Sequence, residues 1–68
     1  MIHTVYMPHE RPEVEVLVDS RWHYGELRMW TRNKDGAWSA QVTWSRAVGQ
    51  NLIDTFTAGD VRPYARAR

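Results

Sequence analysis

The stretch DGAWSAQVTWS, residues 35 to 45, restricts the fold more than any other part of the chain. Asp35-Gly36 is a turn dipeptide. Trp38, Ala40, Val42 and Trp44 then occupy every second position, with Ser39, Gln41 and Thr43 between them. A period of two is that of a strand with one buried face, not of a helix. Asp-Gly between two alternating runs is the pattern of a β-hairpin. The same stretch poses the functional question. Two tryptophans at the ends of this strand face lie roughly 20 Å apart along an extended chain, and a small core is shorter than that. Either both rings pack in the core or at its rim, or at least one is held out for a partner.

Alternation organises the rest of the chain as well. Residues 13 to 19, EVEVLVD, set Val14, Val16 and Val18 against Glu13, Glu15 and Leu17, which predicts a strand with one buried face. Asp19-Ser20-Arg21 is a turn candidate. Residues 22 to 32, WHYGELRMWTR, form a second, longer strand, in which Gly25 signals a bulge or a close backbone crossing. Leu27 and Met29 share one face and are the expected core residues. Glu26, Arg28 and Trp30 share the other unless a bulge shifts the register. Residues 37 to 46 make a third strand, 47 to 51 a loop and Leu52 to Phe56 a fourth strand. Thr57 to Asp60 has room only for a helical turn. Val61-Arg62 begins a last short strand, ended by Pro63. Before all of this, residues 1 to 12 carry Pro8 and Pro12, which lack backbone donors, and read as a flexible arm, with an edge contact or a short strand through Ile2, Val5, Tyr6 and Met7 as the alternative. Residues 64 to 68, YARAR, are a short basic tail. No helical period persists anywhere. The expectation is one all-β domain over residues 13 to 63, a small five-stranded barrel or a very small sandwich. The barrel is preferred because closure removes exposed edges.

Size and composition sharpen the tryptophan question. A domain of 68 residues buries only about 60% of the surface its unfolded chain exposes. Chains this small usually need a staple or a bulky core. There is no cysteine, but there are four tryptophans, three tyrosines and one phenylalanine. The missing cysteines fit a reducing, cytoplasmic compartment. The N-terminus has neither the basic start nor the apolar run of a signal peptide, and no segment nears the ~20 apolar residues of a membrane span. Net charge is +1 with histidines neutral, too little for strong nonspecific attraction to nucleic acid.

A valine-rich strand comes first, then an aromatic strand with glycine (WHYGEL), then DGAW, a strand ending in phenylalanine, and TAGDVRP. In that order the chain resembles the SH3-like small barrel, and its Tudor branch more than a true SH3 domain. The resemblance spans roughly residues 13 to 63. It implies a single 3-10 turn before a short closing strand, placed at Phe56 to Val61. It also implies an aromatic cage around a cation, which Trp22, Tyr24, Trp44 and Phe56 would supply with Asp19 or Asp54. The first strand, EVEVLVD, lacks the tyrosine-rich motif of SH3 domains, and Asp60-Val61 stand where a tyrosine would follow the turn. Both departures speak against binding of proline-rich peptides.

Trp22, Tyr24, Trp30 and Trp44 are the candidate partner surface. An aromatic beside arginine can receive a peptide chain or stack on a base; for Trp30 the slightly preferred alternative is that the N-terminal arm covers it. Arg28 and Arg32 flank Trp30, and Arg46 follows Trp44. With Arg62 they form the alternative site, a groove for single-stranded nucleic acid. His3, His9 and His23 lack the spacing of metal ligands. No nucleophile elbow, phosphate loop or paired carboxylates are present. The sequence therefore predicts a non-catalytic binding module without metal or cofactor. Its expected partner is a protein or peptide segment or a second copy, with nucleic acid as the alternative and no membrane.

Overall fold

The computed structural model describes residues 2–65. The chain forms six antiparallel strands: β1 (Ile2–Val5), β2 (Glu13–Val18), β3 (Arg21–Arg32), β4 (Trp38–Ala47), β5 (Gln50–Thr57) and β6 (Val61–Pro63). Two 3-10 turns, Pro8–Glu10 and Ala58–Asp60, precede β2 and β6. No α-helix occurs among the described residues, as the period of two requires.

Each turn follows from its residues. Val18 pairs with Arg21, so Asp19-Ser20 is a two-residue hairpin loop. Both residues have positive φ, 52° and 65°, as a type I′ turn demands. The β3–β4 turn is longer. The Asn33 amide donates to the Ala37 carbonyl and the Gly36 amide to the Asn33 carbonyl. Gly36 takes φ 88°, and the Asp35 carboxylate accepts from the Ala37 amide at 3.0 Å.

The strand order is β5-β4-β3-β2-β6, with β1 also on β3. Strand β3 is the spine. β1 runs beside its C-terminal part, from Ile2 opposite Arg32 to Val5 opposite Met29. β2 runs beside its N-terminal part, from Glu13 opposite Glu26 to Val18 opposite Arg21. Between them the chain leaves the sheet through Met7 to Arg11, where Pro8 starts the 3-10 turn. The Tyr6 amide donates to the Arg28 carbonyl just before this excursion, and the Leu27 amide to the Pro12 carbonyl just after it. Pro8 and Pro12 cannot donate to a ladder, which is why the excursion falls there.

Two sequence expectations are corrected here. The described residues form six strands, not five, because residues 2–5 of the expected flexible arm form β1. The sheet does not close into a barrel: among the described residues β5 and β6, its two ends, are not paired. After β5 the chain crosses through Ala58–Asp60, which packs on β2, β4 and β6. β6 is then only three residues long. A turn covers the gap where a ladder would have closed it.

The core lies on the concave face. Val14, Val16, Leu27, Ala40, Val42 and Trp44 are buried, and Tyr6, Val18, Trp30, Phe56 and Val61 pack against them. Gly25 is where β3 comes closest to β4. A Cβ there would lie 2.7 Å from Val42 Cγ1 and 2.8 Å from the Thr43 carbonyl oxygen. The expectation of a close crossing at Gly25 is met. The bulge is elsewhere, between Leu27 and Met29.

Candidate functional site

That bulge decides which way the aromatic side chains face. Leu27 lies opposite Val42, but Met29 lies opposite Gln41 and Trp30 opposite Ala40. Arg28 is the extra residue. Val42 and Ala40 point into the core, so Leu27 and Trp30 both point inward. Met29 turns to the convex face instead, which corrects its expected pairing with Leu27. Trp30, read as outward beside Arg28, is half-buried on the concave side. Arg28 lies across the convex face, where its Nε and Nη1 donate to Gln41 Oε1 and Thr43 Oγ1, each at 3.3 Å.

The four expected partner-facing residues are thereby divided. Trp44 belongs to the core at 4% exposure. Its indole Nε1 donates to Asp54 Oδ2 at 2.9 Å, and the rings of His23 and Phe56 lie against it. Asp54 shares the concave face because β5 pairs Asp54 with Val42 and Leu52 with Trp44. A buried indole N–H needs an acceptor, and this aspartate meets the need. Trp22 and Tyr24 lie on the convex face, opposite Leu17 and Glu15. The Arg62 guanidinium stacks 3.9 Å over the Trp22 ring and donates its Nε to Glu15 at 2.9 Å. Tyr24 meets Tyr64 edge to face, with ring centres 5.1 Å apart. The sheet thus separates Trp22 and Tyr24 from Trp44 and Phe56. These four rings do not surround one cation. Asp54 is bound to Trp44, and Asp19 is paired with Arg46 at 3.3 Å.

The structure brings together a different set. Trp30 and Trp38 meet edge to face, with centroids 6.3 Å apart and planes at 88°. With Thr4 of β1 and Ala58 of the second 3-10 turn they line an apolar groove of about 380 Å³. This lies within the ~300–1,000 Å³ range of ligand sites. Trp30 also borders a second hollow of about 270 Å³, lined by Tyr6, Val14, Leu27 and Val61 among others. Trp30 lines both hollows. Trp38 is 38% exposed. It falls at the rim because it starts β4, on the same face as Ala40, Val42 and Trp44. Of the groove residues only Trp30 was singled out as a site residue from sequence. Trp38 was visible as half of the tryptophan pair. Thr4 and Ala58 carry no sequence signal, since only the pairing of β1 and the path after β5 place them there.

The arginines do not converge. Arg28 is on the convex face, and Arg32 is opposite Trp38 at the far end of β3. Arg46 follows Trp44 near the other end of β4, its guanidinium 5.6 Å from the Trp44 ring centre. Arg62 is on β6. Among the described residues no three His, Asp or Glu side chains form a metal-binding group. Nor, among the described residues, is any helix long and apolar enough to cross a membrane. Comparisons of the chain with protein families, with curated proteins and with solved structures gave no match.

Proposed function

We propose that this protein is a non-catalytic binding module that receives an extended protein or peptide segment in the Trp30–Trp38 groove. One observation carries the reading. A pair of edge-to-face indoles, one of them over a third exposed, floors an apolar groove with a single hydroxyl, Thr4, on its rim. Aromatic residues in such settings supply most of the energy at protein interfaces. Thr4 of β1 and Ala58 of the second 3-10 turn border the two indoles, and a chain laid between them would cover both rings. The reading takes the sheet, with its 3-10 turn before a short last strand, as an unclosed relative of the SH3-like or Tudor-like arrangement. The nucleic-acid alternative has less behind it. Arg46 and Arg62 are already ion-paired, and Arg28 is held by two neutral side chains.

The test is selection from a displayed library of random peptides, followed by binding titrations of the selected peptides. Trp38→Ala should weaken them about thirtyfold, the ~2 kcal/mol of an aromatic hot spot, while circular dichroism shows the sheet intact. Peptides that bind the variant as tightly as the wild type would remove the groove from consideration.

A further inference from the structure

The two ends of the sheet are built differently. At one end β6 is three residues long and finishes on Pro63. Shortness and proline are ordinary protections of a sheet edge. At the other end β5 is eight residues long, QNLIDTFT, and among the described residues pairs only with β4. It contains no proline and no lysine. Its one charge, Asp54, is turned to the concave face and held by the Trp44 indole, so it does not guard the edge. Ile53 is 54% exposed on the convex face, and Leu52 is exposed on the concave face. An edge of this length and character is a template for another strand.

A second copy of β5 can lie along this edge with its faces continued. We infer that β5 pairs antiparallel with β5 of a second copy about a two-fold axis through Ile53. Directly opposed residues in an antiparallel pair share a face, so a two-fold that continues each face must pass through a residue position. An axis at Leu52 opposes only five of the eight strand residues. An axis at Asp54 sets two carboxylates directly opposite, which is destabilising. The axis at Ile53 opposes Gln50–Phe56 with its own copy and keeps the carboxylates apart. Ile53 then meets Ile53 of the second copy, Leu52 meets Asp54, and Asn51 meets Thr55. The amide and hydroxyl of that last pair are complementary. The result is one continuous sheet through both copies, with the two Trp30–Trp38 grooves free. This association does not depend on the groove.

The chain has no cysteine, so introduced cysteines report the register. Opposed Cα atoms lie about 4.5–5.5 Å apart, within the ~4.4–6.8 Å range of a disulfide. Two Asn51 residues would lie about 14 Å apart, four residues out of step. Under mild oxidation Ile53→Cys should form a covalent dimer. Asn51→Cys alone and Thr55→Cys alone should not, whereas a mixture of the two should. Sedimentation from micromolar to millimolar concentration should show a monomer–dimer equilibrium for the wild type and for Trp38→Ala. For Ile53→Lys, which opposes two like charges, the dissociation constant should rise at least tenfold. The proposal is overturned if the wild type stays monomeric across that range, or if the single-cysteine variants cross-link equally. A dimer lost in Trp38→Ala but kept in Ile53→Lys would also overturn it and would place the contact at the groove.

Discussion

Adding one methyl group at Gly25 tests the packing on which the site rests. In Gly25→Ala the new Cβ would sit 2.7 Å from Val42 Cγ1, 2.8 Å from the Thr43 carbonyl oxygen and 3.2 Å from Trp44 Cβ. None of the three can retreat easily. Val42 is fully buried, so its side chain has no vacant rotamer to take. Thr43 is paired on both sides, with Glu26 of β3 and Ile53 of β5, so moving its carbonyl disturbs two ladders. Overpacking of this kind costs up to about 3 kcal/mol. The lower backbone entropy of alanine in the unfolded chain returns about 0.5–1 kcal/mol. The net loss is about 2 kcal/mol. With a urea m value of ~1 kcal/mol/M for so small a domain, the midpoint should fall by about 2 M. The melting temperature should fall by about 8–16 °C. Tryptophan fluorescence during urea unfolding reads the change. Gly59→Ala is the control, because a Cβ at Gly59 meets nothing within 4 Å; it should stay within ~0.5 kcal/mol of wild type. Gly25→Ala as stable as Gly59→Ala would refute the close approach of β3 and β4.

Other outcomes follow from the same packing. Trp44→Ala should cost ~3–5 kcal/mol, most of what a domain of this size possesses, so the variant should be largely unfolded by circular dichroism. Trp44→Phe keeps most of the ring but deletes the N–H bound by Asp54, and should lose ~1–3 kcal/mol in urea unfolding. Ser20→Gly removes a side chain from a left-handed position, φ 65°, and should raise stability by about 0.5–1 kcal/mol in the same assay. Arg46→Ala breaks an ion pair whose side chains are both more than half exposed and removes the guanidinium from the Trp44 ring, and should lower stability by about 1 kcal/mol.

What could be read from this sequence was local. The alternation of Val14, Val16 and Val18, and of Trp38, Ala40, Val42 and Trp44, reports which side chains share a strand face, because that period belongs to the backbone itself. Asp19-Ser20, Asp35-Gly36 and the short span before Val61 announce turns because their side chains or φ preferences act within a few residues. The role of Gly25 was also legible, since a residue without Cβ inside a strand signals a near neighbour.

The candidate site was not local, and for that reason only part of it was legible. One unpaired residue, Arg28, reverses the faces of Met29 and Trp30, and nothing near Arg28 marks it as the extra one. The bulge is fixed from outside, by the β4 register on one edge and by the excursion from Met7 to Arg11 on the other. The pairing of β1 with the end of β3 joins residues far apart in the chain and supplies Thr4 to the groove. Open rather than closed sheet geometry likewise rests on where the chain travels after β5. Alternation and turn chemistry therefore determined an all-β chain with most of its strands and its central buried positions. The tertiary structure alone decided which rings the sheet encloses and which two it leaves at an open rim, because facing depends on register between strands and register is set by distant partners.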